Sequence, residues 1–103
     1  MKITLLFTLF QIHKTYLNIL INKFDNLTKE PLEGAVFKVE LQNGDNIEVI
    51  GEYTTDSDGK VNIKDLKQGL YKITEIHVPE GYKLTEETYE ISIDTNNFEY
   101  ELN

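Results

Sequence analysis

Residues 53–75 read YTTDSDGKVNIKDLKQGLYKITE, and residues 76–82 continue as IHVPEGY. This stretch predicts three strands separated by turns and followed by a loop, because apolar and polar residues alternate between clusters of turn-forming residues. The turn signals are DG at 58–59 and KQG at 67–69. The stretch also places Glu75 in phase with an apolar strand face, since side chains two residues apart share a face.

The same pattern runs from residue 17 to residue 103. It predicts strands at 17–24, 34–41, 47–54, 61–63, 70–76, 89–94 and 98–102. About seven short strands with a turn signal roughly every 8–12 residues are typical of a two-sheet sandwich. The predicted fold is therefore an all-β, immunoglobulin-like β-sandwich spanning residues 17–103.

Composition restricts the function. The chain has 103 residues, of which 27% are charged and 40% hydrophobic, as in an ordinary globular domain. Its net charge of −8 argues against a nucleic-acid partner. The absence of cysteine excludes disulfides and thiolate metal sites. DSDG at 56–59 predicts a turn rather than a calcium loop, the two histidines are far apart in the sequence, and we expect no metal or cofactor.

Residues 1–16 differ from the rest of the chain and are predicted to be an extension outside the sandwich. The apolar run at 3–10 resembles part of an export signal but is too short to span a bilayer. Three explanations stay open: a signal remnant, a start codon misplaced within a longer gene, and a short helix or strand packing on the domain. Because no turn or strand pattern ties this segment to the sandwich, we expect it to be dispensable for folding.

Two charged residues fall on predicted apolar faces. Lys23 shares a face with Leu17, Ile19 and Ile21, and Glu75 shares one with Tyr71 and Ile73. A buried lysine and a buried glutamate are each unfavourable alone and are usually paired. The alternative is that both side chains lie at strand ends and reach out to water.

Five ordered motifs carry a family resemblance: KFD at 23–25, LEGAVFKV at 32–39, YTTDSDG at 53–59, LKQGLYKITE at 66–75 and PEGYKL at 79–84. With these motifs the chain resembles, over residues 17–103, the collagen-adhesin (Cna) B-type domain, also called the SpaA-type prealbumin-like domain. The resemblance implies a prealbumin-like sandwich on the surface or cell wall of Gram-positive bacteria, where such modules build pilin shafts and adhesin stalks.

The resemblance also implies a cross-link. Many members join a lysine of the first strand to an asparagine of the last by an isopeptide bond, and an acid on a middle strand promotes the reaction. The matching residues are Lys23, Glu75 and Asn103. Asn103 is out of phase with the apolar residues of its strand, so either a bulge re-aims it or the partner belongs one position further on.

The implied chemistry needs a buried amine and a buried acid. Burial favours the neutral forms of both groups, and only a neutral amine attacks an amide carbon. The reaction happens once per molecule, so we do not expect an enzyme.

Two other functions stay open: an adhesin domain that binds a host matrix protein or glycan, and an accessory domain of a larger surface enzyme. In each case we expect neighbouring domains of a longer surface protein as partners, and no membrane span in this chain.

Overall fold

A computed structural model describes residues 2–9, 15–84, 88–93 and 99–101. These residues form eight strands and no helix: β1 (Lys2–Leu9), β2 (Thr15–Asn22), β3 (Val36–Asn43), β4 (Asn46–Thr54), β5 (Lys60–Leu66), β6 (Gly69–His77), β7 (Thr88–Ile93) and β8 (Glu99–Glu101). The predicted all-β sandwich is confirmed. Each of the seven predicted strands has a counterpart, and β1 is additional.

The strands form two four-stranded sheets. One has the order β5-β2-β1-β8 and the other β4-β3-β6-β7. All neighbours are antiparallel. Alternate residues of each sheet meet in a single core cluster, which consists of Ile3, Leu17, Ile19, Ile21, Ala35, Phe37, Val39, Leu41, Val61, Ile63, Leu66, Tyr71, Ile73, Ile91 and Ile93. The inward faces expected for β2 and β6 are therefore the buried ones.

The hairpin between β3 and β4 lies at Asn43-Gly44, a dipeptide typical of two-residue hairpin loops. Asn43 pairs with Asn46, which leaves Gly44 and Asp45 as a two-residue loop. Gly44 has φ +63°, the left-handed region that such hairpin loops require and that glycine adopts without strain. The turn signal thus sets the register that directs Phe37, Val39 and Leu41 into the core.

Strand β1 belongs to the first 16 residues, which the sequence predicts to be an extension, with a strand packing on the domain as one of the explanations left open. Residues 2–9 form such a strand: they pair along their whole length with β2, and Lys2, Ile3 and Thr4 also pair with β8. The Ile3 side chain is fully buried. The sequence 2–9 lacks both clean alternation and a turn signal, so its pattern does not predict a strand, whereas two neighbouring strands supply its hydrogen-bond partners. The domain boundary at residue 17 stays a prediction.

The burial of Ile3 makes the contribution of β1 measurable. We expect Ile3→Ala to lower the free energy of unfolding by about 2–5 kcal/mol, because truncating a buried isoleucine loses its transfer energy and leaves a cavity. Chemical denaturation of the purified chain gives this value. Lys2→Ala, at an exposed position of the same strand, is the control. Equal stability of the two variants would show that β1 does not contribute to the core.

Candidate functional site

Lys23 and Glu75 meet at one end of the sandwich. Lys23 follows the last residue of β2, and Glu75 lies on β6 opposite Phe37. The lysine Nζ is 3.6 Å from the glutamate Oε2, and the side chains are 24% and 8% exposed. The structure therefore brings together the two residues that strand phase placed on inward faces, and the lysine retains some contact with solvent.

The Glu75 carboxyl group is incompletely satisfied. Its Oε2 atom is buried and has no hydrogen-bond partner among the described residues. A buried polar atom without a partner costs about 1–3 kcal/mol, more when the group is charged. The ion pair with Lys23 offsets part of this cost, and the free position on Oε2 can accommodate one further polar group.

The backbone of Lys23 is held on both sides. Its N–H donates to the carbonyl of Gly59 at 2.7 Å, and its carbonyl accepts from the N–H of Leu32 at 3.0 Å. Gly59 has φ +71°, and a Cβ there would collide with the Lys23 carbonyl oxygen. The glycine of the DG turn is therefore needed for the close approach that positions Lys23, as well as for its backbone conformation.

Thr55 fixes the segment that contacts Lys23. Its buried hydroxyl donates to the carbonyl of Leu32 at 2.7 Å and accepts from the N–H of Ala35 at 3.0 Å. Leu32 in turn donates to Lys23. The sequence alone does not reveal this role. Thr55 directly follows β4, and threonine is common at exposed strand positions as well as buried ones.

Thr55 offers a direct test of this network. We expect Thr55→Val to destabilise the fold by about 1–3 kcal/mol, because it keeps the shape but leaves a buried carbonyl and a buried N–H without partners. Thermal or chemical unfolding measures the loss. Thr54→Val, at an exposed neighbouring position, is the matched control, and a similar change in both would contradict the proposed role of the hydroxyl.

Asp25 connects the loop after β2 to the loop after β6. Its Oδ1 accepts from the N–H groups of Leu27 and Thr28 at 2.8 and 3.0 Å, and its Oδ2 accepts from the Tyr82 hydroxyl at 2.8 Å. The backbone N–H of Thr28, followed by the Tyr82 hydroxyl, lowers the pKa of Asp25. The hydrogen bond from the Tyr82 hydroxyl to Asp25 raises the pKa of Tyr82.

These loops form one wall of a cleft beside the ion pair. The cleft has a volume of about 290 Å³ and contains Lys23 and Glu75 in its lining, together with Leu32, Pro79 and Tyr82. The KFD motif at 23–25 and the PEGYKL motif at 79–84 both contribute residues to its lining. Strand phase could not reveal the contact between Asp25 and Tyr82, because both residues lie in loops.

The lowered pKa of Asp25 has a predictable effect on stability. At pH values above the reference pKa of 3.8, the Asp25 carboxylate stabilises the fold. This contribution is lost as the pH falls through the lower pKa of the folded state. We therefore expect the difference in melting temperature between wild type and Asp25→Ala to be largest at neutral pH and to shrink in acid. Melting curves across this range test it, with Tyr82→Phe as the variant that keeps the carboxylate. A pH-independent difference would contradict this assignment.

The DSDG sequence at 56–59, compared above with a calcium loop, forms a turn. Asp56 Oδ1 accepts from the N–H groups of Asp58 and Lys60 at 2.9 and 3.0 Å, so its carboxylate closes the turn before β5. In the described part of the chain, no three His, Cys, Asp or Glu residues are grouped so as to hold a metal ion. That part also contains no helix long and apolar enough to cross a membrane.

Comparison with known proteins agrees with the fold. The model of the SpaA family, a prealbumin-like fold domain, matches residues 17–103. The chain belongs to the SpaA family. It is also similar to the trypsin-resistant surface T6 protein of Streptococcus pyogenes serotype M6, with 39% identity over 70 residues. Those residues are 68% of this chain but only 12% of that relative, so the chain spans a small part of the relative's length.

The SpaA match begins within β2 and leaves β1 outside it. The third predicted cross-link residue, Asn103, lies outside the described residues. Strand β8, which ends at Glu101, pairs with β1 rather than with β2. Lys23 and Glu75 are therefore in contact within this SpaA domain, whereas the strands that precede Lys23 and Asn103 are separated by β1.

Proposed function

We propose that this SpaA domain is a structural module of a Gram-positive cell-surface pilin or adhesin. The family match and the relative, which is itself a surface protein, support this role. The relative is much longer than the matched region, which is consistent with neighbouring domains in a longer protein. The proposed location is extracellular, on the cell surface or in the cell wall.

We further propose that the domain matures by forming an isopeptide bond between Lys23 and Asn103. The observation that carries this proposal is the contact between the part-buried Lys23 Nζ and the buried Glu75 Oε2. It supplies the amine and the acid in one site, held by the fold, and such positioning replaces a bimolecular encounter. Glu75 Oε2 makes an ion pair with Lys23 but no hydrogen bond, so it can take a hydrogen bond from the side-chain amide of asparagine.

The reaction balances without a cofactor. A proton moves from the Lys23 ammonium to the Glu75 carboxylate, and the neutral amine attacks the side-chain carbonyl carbon of Asn103. The protonated Glu75 stabilises the oxygen of the intermediate and then donates a proton to the departing nitrogen. The carbon–nitrogen bond of the original amide breaks, ammonia leaves, and the proton released by the new amide nitrogen is taken up by the ammonia or by Glu75.

The bond would suit a domain under load. It closes a loop of about 80 residues and, by analogy with a disulfide, removes about 4.5 kcal/mol of unfolded-state entropy. It also joins the first and last strands of the matched region, so that tension on the ends cannot separate them. In a chain without cysteine it serves the purpose of a disulfide.

Intact-mass spectrometry tests the cross-link. We expect purified wild-type chain to contain a species lighter by one ammonia, and peptide mapping to join Lys23 to Asn103. Glu75→Gln should abolish this species because the amide cannot relay protons, and Lys23→Ala should abolish it because the nucleophile is gone. Lys64→Ala, an exposed lysine on β5, is the control that keeps the light species.

Resistance to heat and protease should be higher in the variants that form the light species. Glu75→Gln and Lys23→Ala should lose resistance to heat and protease, whereas Lys64→Ala should keep it. A light species that persists in Glu75→Gln would exclude the proposed role of the acid. If folded wild-type chain never loses ammonia under any condition, Lys23 and Glu75 are only a buried ion pair.

A further inference from the structure

Two unpaired strand edges lie together on one side of the sandwich. Among the described residues, β4 pairs only with β3 and β5 only with β2, so each is the last strand of its sheet. Residues 55–59 connect them directly at one end. At the other end, the Tyr71 hydroxyl donates to the carbonyl of Lys67, the residue after β5, at 2.8 Å. Burial, followed by the charge of Glu48 on β4, raises the pKa of Tyr71, so Glu48 also lies near this end.

The two edges carry opposite charges. Strand β4 has two acidic residues, Glu48 and Glu52, and no basic one. Strand β5 and the residue that follows it have three lysines, at positions 60, 64 and 67, and one aspartate, at position 65. All of these side chains are exposed. Neither Glu52 nor Lys64 forms an ion pair with another described residue, so both charges are available to a partner.

Strand β4 also exposes apolar surface beside its unpaired edge. Ile47 and Val49 are 52% and 55% exposed, and they lie opposite Gln42 and Glu40 on the outer face of the sheet. A long edge strand with exposed apolar side chains is a site at which a further strand can add. Pairing of β4 with a second β4 would set glutamates against each other, and pairing of β5 with β5 would do the same with lysines. Like charges on opposing strands are destabilising, so the charges favour pairing of β4 with β5.

The turn between the two strands sets which of their residues lie at the same height. The N–H of Asp56 donates to the carbonyl of Lys60 at 3.1 Å. Glu52 lies four residues before Asp56, and Lys64 lies four residues after Lys60, so the two are level. Both point to the outer faces of their sheets, because the next residue of β4 and the preceding residue of β5 pack in the core.

We propose that two copies of this domain associate side by side about a twofold axis parallel to the strands, with β4 of each copy pairing with β5 of the other. Such a rotation keeps heights unchanged and exchanges the two sheets. Because β4 enters the turn and β5 leaves it, the paired strands are antiparallel. Glu52 of each copy then faces Lys64 of the other, and each sheet continues into the four strands of the second copy. This pairing is independent of the Lys23–Asn103 bond and adds a lateral contact to the proposed surface module.

Charge exchange between the two edges tests the proposal. Glu52→Lys sets lysine against Lys64 in both contacts of the dimer, and Lys64→Glu sets glutamate against Glu52. An equimolar mixture of the two variants again has opposite charges in both contacts. Glu90→Lys on β7 and Lys83→Glu in the loop after β6 are the matched controls, because they make the same changes of net charge at exposed positions away from these edges.

Sedimentation velocity of the purified full-length chain at rising concentration gives the result. We expect wild type to shift from the mass of one chain to that of two. Each edge variant alone should associate roughly tenfold more weakly or less, and their mixture should recover the wild-type dimer. The control variants should behave as wild type, alone and mixed.

Three results would overturn the pairing: a wild type that stays monomeric at every concentration, a dimer that the edge variants leave unchanged, and a mixture of edge variants that does not recover the dimer.

Cysteine trapping decides the question independently of the charge variants and stands alone if one of those does not fold. Thr54 and Asn62 are exposed and lie two residues from the same turn bond, so they face each other across the proposed contact. The chain has no other cysteine. After mild oxidation of an equimolar mixture of Thr54→Cys and Asn62→Cys, we expect the disulfide-linked mixed dimer to exceed either homodimer several-fold. Mixed and homodimeric products in random proportion would exclude pairing of β4 with β5.

Discussion

Each sheet turns one face toward a common apolar core, and every polar group on those faces must find a partner within the protein. In the described part of the chain, the buried polar or charged residues are Thr55 and Glu75. Thr55 satisfies its hydroxyl with two backbone groups. Glu75 instead contacts Lys23, and one of its oxygens lacks a hydrogen bond. The edge of the core is therefore where a buried acid and a part-buried amine are held together.

The loops around this pair act as its support. Gly59 and Leu32 hold the backbone of Lys23 from opposite sides, and Thr55 holds Leu32. Asp25 and Tyr82 join the loops that follow the two strands carrying the pair. A backbone held in this way positions Lys23 beside Glu75. The same supports also suit a module that only has to stay folded under tension.

Strand β1 occupies an interior position in its sheet. In sequence it precedes the region shared with the SpaA family, yet in the sheet it lies between the first and last strands of that region. Its side chain at Ile3 belongs to the core.

The sequence by itself determined the all-β class, seven of the eight strands, and the inward faces of β2, which Lys23 follows, and of β6, which carries Glu75. These features follow from local alternation and turn residues, which act over a few positions. Only the tertiary structure decided the place of β1, the support of Lys23 by Gly59 and Thr55, and the contact between Asp25 and Tyr82. Each of these joins residues distant in the chain or lying in loops, where no periodic pattern records which backbone groups will meet.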